Sequence, residues 1–118
     1  MSQTYFLKEY PAGMKATIDP ESYSSVVQLF DHCVKKFATS YHATCMGQSL
    51  TYAQLDEKSA AFAAYLQNHT SLMPGDRIAI QLPNLLQFPV VAFGALRAGL
   101  VLVNTNPLYT ARELEHQF

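Results

Sequence analysis

Apolar and polar positions alternate most informatively between Gly75 and Val103, where they predict a strand, a helix and a second strand in succession. Arg77-Ile78-Ala79-Ile80-Gln81-Leu82 is a short, almost wholly apolar run, as expected of a strand covered on both faces. Ahead of it, Leu72-Met73-Pro74-Gly75-Asp76 puts Pro and Gly in the central positions that a type II turn favours. Pro83-Asn84 ends the strand. From about Leu86 to Ala98, Phe88, Val91, Ala92, Ala95 and Leu96 recur at three- and four-residue steps and so share one helical face. Gly99 stands where a left-handed residue ends a helix, and Leu100-Val101-Leu102-Val103 is expected to be a second buried strand. Parallel pairing needs a crossover of about a dozen residues or more, which this connection supplies. One parallel β-α-β unit is therefore predicted, with the usual right-handed crossover.

Upstream, the same periodicity predicts a helix from Val26 to about Ser40. Val26, Phe30, Cys33, Val34 and Phe37 form its apolar stripe, and Asp31, Lys35 and Lys36 fall outside it. Ser25 and Gln28 have the spacing of a capping box, in which a hydroxyl and a side-chain amide satisfy free backbone N–H groups of the first turn. Ala43 to Met46 and Ser49 to Thr51 flank a turn at Gly47-Gln48 and predict a small hairpin. Thr51 and Gln54 repeat the capping-box spacing and open a helix to about Asn68, with Leu55, Ser59, Phe62, Ala63 and Leu66 inward. Ala60, Ala61, Ala63 and Ala64 leave little bulk on this helix, so a close backbone neighbour is expected, a sheet. Thr110 and Glu113 make a third box, with Leu114 and Phe118 on one face. No stop signal precedes Phe118, so a truncated domain is expected.

Residues 1–23 show no period but carry Tyr5, Phe6, Leu7, Tyr10, Met14, Ile18 and Tyr23. They are expected to form an irregular aromatic arm ahead of an α/β portion spanning residues 24–118. The arm either lies over its own domain or reaches another subunit, since apolar side chains without periodic structure need a surface made elsewhere.

Composition narrows the function classes. A chain of 118 residues is one domain at most, able to bury roughly two-thirds of its unfolded surface. Eight basic and nine acidic side chains are scattered along it, which argues against a nucleic-acid footprint. Two cysteines are too few for a disulfide framework, so Cys33 and Cys45 are expected to be reduced, buried thiols of a cytoplasmic protein. The first ten residues lack the basic cluster and apolar core of a signal peptide. Leu85 to Val103 is apolar enough to suggest a membrane span, but Pro89, Gly94, Arg97 and Gly99 favour a helix followed by a strand.

Candidate chemistry is sparse. None of Gly13, Gly47, Gly75, Gly94 and Gly99 belongs to a phosphate-cradling run. His32, His42, His69 and His116 lack the spacing of zinc ligands, and His116 beside Glu115 fits a helix surface. Ser22, Ser24 and Ser25 form no nucleophile elbow. No catalytic, cofactor-binding or metal-ligating residue is assigned. Asn104-Thr105-Asn106-Pro107 follows the carboxyl end of a predicted parallel strand, where open α/β sheets place ligands, though Asn and Pro also favour turns for backbone reasons.

Three ordered motifs carry a resemblance. Leu50-Thr51-Tyr52-Ala53-Gln54-Leu55 and Leu96-Arg97-Ala98-Gly99-Leu100-Val101-Leu102-Val103-Asn104 resemble the first two core motifs of the adenylate-forming superfamily. Pro74-Gly75-Asp76-Arg77-Ile78-Ala79, followed by Leu82-Pro83-Asn84, is similar to the segment usually found between them. Phe62 to Gln67, Pro83 to Pro89 and above all Val103 to Gln117 resemble bacterial long-chain fatty acid:CoA ligases, and the arm with Tyr10-Pro11-Ala12 and Tyr23 fits the same group. The resemblance implies the N-terminal part of the large domain of an adenylate-forming enzyme, with helices flanking a sheet. It implies a parent enzyme that activates a long-chain fatty acid with ATP and magnesium and passes the acyl group to coenzyme A. It implies also that the phosphate-gripping loop, the metal-linked acidic residue, the ribose-binding aspartate and the C-terminal lysine lie beyond this sequence, so this fragment is expected to bind none of those cofactors and to be inactive alone. Another adenylate-forming enzyme, such as a fatty acyl-AMP ligase, and a non-catalytic self-associating module are the alternatives. Homo-oligomerisation through open apolar surfaces is expected. Peripheral contact with the inner face of the cell membrane is a trait of the family, but no basic amphipathic helix here supports it.

Overall fold

A computed structural model describes residues 5–118. The first four residues of the predicted arm lie outside the described residues. Tyr5–Glu9 is a short 3-10 helix, and the chain then runs through turns to α1 (Val26–Phe37), β1 (Tyr41–Cys45), β2 (Gln48–Thr51), α2 (Tyr52–His69), β3 (Arg77–Ile80), α3 (Gln87–Arg97), β4 (Val101–Asn104) and α4 (Ala111–Gln117). The architecture is α/β: β1 and β2 form an antiparallel hairpin, and β3 and β4 form a parallel pair joined through α3. The parallel register aligns Arg77 with Val101 and Ile80 with Asn104.

Local chemistry explains the corners. Asp76 N–H donates to the Met73 carbonyl at 3.0 Å across Pro74-Gly75, and Gly75 has φ +93°, which a type II turn requires at its third position. Gly99 (φ +81°) ends α3: its N–H donates to the Leu96 carbonyl and Leu100 N–H donates to the Ala95 carbonyl, the paired bonds of a Schellman motif. Gly75 N–H meets the Gly99 carbonyl at 2.8 Å, so the two corners brace each other and set the start of both parallel strands. Thr51 and Thr110 form complete capping boxes with Gln54 and Glu113. At α1, Ser25 Oγ accepts from Gln28 N–H, but the Gln28 side chain reaches Ser24 N–H, one residue further out than the predicted box.

Two apolar clusters lie along α2, one near each end. Near its start, Phe30, Leu50 and Leu55 pack with Val34, Leu86, Val90 and Phe93. Near its end, Ala63, Leu66, Ala95, Ala98 and Leu100 pack with Phe62, Leu72, Ile78 and Leu102. Complete burial of a side chain such as Leu55 contributes about 2 kcal/mol.

Several expectations are corrected. The small-residue helix α2 packs chiefly on another helix, α3, rather than on a sheet, because Gly94 removes the side chain that would hold the two backbones apart. The hairpin turn is Met46-Gly47, one residue earlier than predicted. Both residues have positive φ (51° and 77°), the combination a two-residue type I′ turn demands. Strand β3 is covered on one face only: Ile78 and Ile80 turn inward while Arg77 and Ala79 are exposed, since α3 packs on a single side, and β4 is likewise not buried throughout, with Val101 exposed. Only Phe30 of the α1 stripe is buried, with Val26 and Phe37 exposed at its ends. Cys33 and Cys45 are free thiols, each half-buried rather than buried. The apolar stretch Leu85 to Val103 divides into α3 and β4. At about 1.5 Å per residue α3 spans roughly half of a bilayer core.

Candidate functional site

The carboxyl ends of β3 and β4 lead into the segment where an α/β sheet offers a ligand its first opening. Here Asn104, Thr105 and Asn106 are committed to holding the chain. Thr105 N–H donates to the Ile80 carbonyl at 2.9 Å, extending the ladder by one bond, and its buried hydroxyl donates to the Val103 carbonyl at 3.3 Å. Asn106 Oδ1 accepts from Leu108 N–H at 2.9 Å, while its carbonyl accepts from Tyr109 N–H and Gln81 Nε2. Gln117 Nε2 returns from α4 to the Asn104 carbonyl at 3.2 Å. An asparagine that closes a turn through its own side chain is the backbone role its residue type suggests.

An open groove beside this loop is lined by Tyr109, Arg112, Glu113, His116 and Gln117. Glu113 does not serve it as a free base. Its carboxylate accepts from Thr110 N–H at 2.7 Å and Thr110 Oγ1 at 2.9 Å, and these bonds hold its pKa below the ordinary value. Arg112 and His116 line the same groove.

The strongest polar constellation lies elsewhere and was not anticipated as one. Arg97, at the end of α3, donates through Nη1 to the Asp56 carbonyl (2.9 Å) and to Ser59 Oγ (2.8 Å), and pairs through Nη2 with Asp56 Oδ1 at 2.8 Å. Its guanidinium lies 5.5 Å over the Phe30 ring, which stacks at 4.2 Å on Phe93. A planar fork with five donors can address a carbonyl, a hydroxyl, a carboxylate and a ring face together, which an ammonium cannot. The cluster ties α1, α2 and α3 and contains no nucleophile paired with a base, so its chemistry is that of a joint. The only sequence signal for it was Arg97 within an otherwise apolar helix.

The residues described do not by themselves fit a triphosphate or its magnesium. Gly47 and Gly75 make turns, Gly94 lies under Phe62, Gly99 ends α3 and Gly13 stands alone in the arm, so no glycine-rich run cradles a phosphate. No three His, Cys, Asp or Glu side chains gather to hold a metal among the described residues.

With that geometry in view, the class follows from comparison: the model of the AMP-binding enzyme family matches residues 30–118, and the chain belongs to that family. The long-chain-fatty-acid–CoA ligase of Yersinia pestis is 51% identical over 112 residues, covering 95% of this chain and 20% of that protein. A salicyl-AMP ligase/salicyl-S-ArCP synthetase of Mycobacterium tuberculosis is 45% identical over 67 residues, 57% of this chain and 12% of that protein. The N-terminal subdomain of Klebsiella oxytoca NpsA shares the fold with a TM-score of 0.75 and 26% identity, over 79% of this chain and 24% of that one. The chain thus spans about a fifth of the length of the Yersinia relative.

Proposed function

We propose that residues 1–23 are an arm and residues 24–118 the first α/β portion of the adenylation domain of a long-chain fatty acid:CoA ligase. The whole protein would convert a long-chain fatty acid and ATP to an acyl-adenylate and pyrophosphate, then transfer the acyl group to coenzyme A. Adenylation replaces a poor leaving oxygen with AMP, which a thiolate can displace. The observation that carries this proposal is 51% identity with the Yersinia pestis ligase across 95% of the chain. ATP use accords with the AMP-binding family; magnesium and coenzyme A belong to the proposal. The 118 residues alone are inactive on this account, because no glycine-rich phosphate-gripping run occurs in their sequence.

The test is an assay of the longer protein that contains this segment. Long-chain acyl-CoA formed from a fatty acid, ATP and coenzyme A is expected, and activity confined to aryl or amino acids would refute the substrate class. A second adenylate-forming chemistry is favoured by the 45% identity with the salicyl-AMP ligase. Pyrophosphate exchange without formation of acyl-CoA would select it. No helix among the described residues is long and apolar enough to cross a membrane. We propose a cytoplasmic protein with peripheral contact at the inner face of the cell membrane, and a chain that self-associates through its exposed apolar side chains.

A further inference from the structure

The first strand of the hairpin holds a titratable residue to which the proposed reaction gives no role. Between Tyr41, paired with Thr51, and Ala43, paired with Leu50, the register slips, leaving His42 as the extra residue of a β-bulge. In plain alternation His42 would share the outward face of Thr44; the bulge re-aims it inward with Ala43 and Cys45. There its ring meets Tyr52 of α2 edge-on at 5.1 Å and Phe93 of α3 at 6.4 Å. Its Nδ1 is buried with no hydrogen-bond partner.

We infer that His42 is an acid-sensitive latch: neutral, it seats the β1–β2 hairpin against α2 and α3, and a proton taken at Nδ1 opens the hairpin. A neutral imidazole tolerates two aromatic edges and one unpaired ring nitrogen. An imidazolium places a charge and a donor at Nδ1, where no acceptor stands, and that loss of hydration is penalised. The ionisable groups around it give no relief. Tyr52 faces it from α2 and Cys45 lines the same groove, α3 presents the Phe93 ring, and the Lys36 ammonium of α1 lies over Phe37, whose ring adjoins Tyr52. Among the described residues the ion pair is Arg97–Asp56, and no carboxylate partners the imidazole.

Burial lowers the His42 pKa below its ordinary value. The sign follows: the unfolded chain binds the proton more readily, so stability from neutral His42 is complete above a pH of about 6.5. It is lost as pH falls through that value and then through the depressed folded pKa. Opening would withdraw Leu50 from Phe30 and Leu55, and displace Thr51, the cap of α2.

Amide hydrogen exchange of the 118-residue chain, corrected for intrinsic rates and followed by NMR from pH 7.5 to 5, tests the latch. The β1–β2 amides should lose protection with the same midpoint as the His42 ring-proton shift, while the β3–β4 amides keep theirs. His42→Phe and His42→Gln should both stay closed at pH 5. Unchanged protection in the parent chain at pH 5, or the same loss in both variants, would overturn the inference. If neither variant folds, the parent chain decides: coincident midpoints support the latch, and separate midpoints overturn it.

Discussion

Replacing Arg97 measures what the polar joint between the helices contributes. Arg97→Met removes the bonds to Asp56 and Ser59, leaving the fully buried Ser59 hydroxyl without its donor, and is expected to cost about 1–3 kcal/mol in urea denaturation. Arg97→Lys should recover only part of this, since an ammonium keeps the charge but not the fork or the ring contact. Equal stability of Lys and Arg would show that charge alone matters. Gly94 supplies the complementary case. A Cβ there would stand 2.7 Å from Phe62 Cδ1 and 2.9 Å from the Ser59 carbonyl, which is backbone and yields only if α2 moves. Ala in a helix gains about 1 kcal/mol over Gly, but overpacking of about 1–3 kcal/mol should outweigh it, so Gly94→Ala should lower the denaturation midpoint. A higher midpoint would contradict this close approach. Neither role was legible beforehand. Arg97 meets partners 38 and 41 residues away, and a lone glycine in a helix says nothing of what lies over it.

Among the elements, those governed by neighbouring residues were read best. Three N-caps fall at Ser25, Thr51 and Thr110 as the hydroxyl-to-amide spacing predicts, and the β-α-β unit with its Gly75 and Gly99 corners is as expected. The hairpin turn was misplaced by one because Met46 takes a left-handed conformation (φ 51°) that its residue type does not advertise. That suggests a stabilising change. Met46→Asn suits a type I′ turn, and Met46 is 90% exposed, so little packing is lost. A gain of about 0.5–1 kcal/mol, or a few degrees in Tm, is expected from thermal melting; a fall in Tm would contradict the turn geometry. The partner of α2 escaped because a run of alanines predicts a close neighbour without saying whether that neighbour is a strand or a helix.

Over the whole molecule, α2 organises two apolar clusters, yet much apolar surface stays open. Tyr5, Met14, Ile18 and Met73 are more than half exposed, and β3 and β4 leave Ala79 and Val101 facing outward. Such a surface on a two-stranded sheet favours association. Light scattering over a dilution series is expected to give a mass above 13.2 kDa that rises with concentration, and a monomer at every dilution would exclude it. At this scale the sequence carried the superfamily through ordered motifs, while its five scattered glycines form no phosphate-cradling run that would display the reaction locally. The direct test is a chimera in which residues 1–118 replace the matching fifth of the Yersinia pestis ligase. A folded chimera should form long-chain acyl-CoA from a fatty acid, ATP and coenzyme A. A folded chimera that makes no thioester would contradict the assignment of this chain to the opening of such an enzyme.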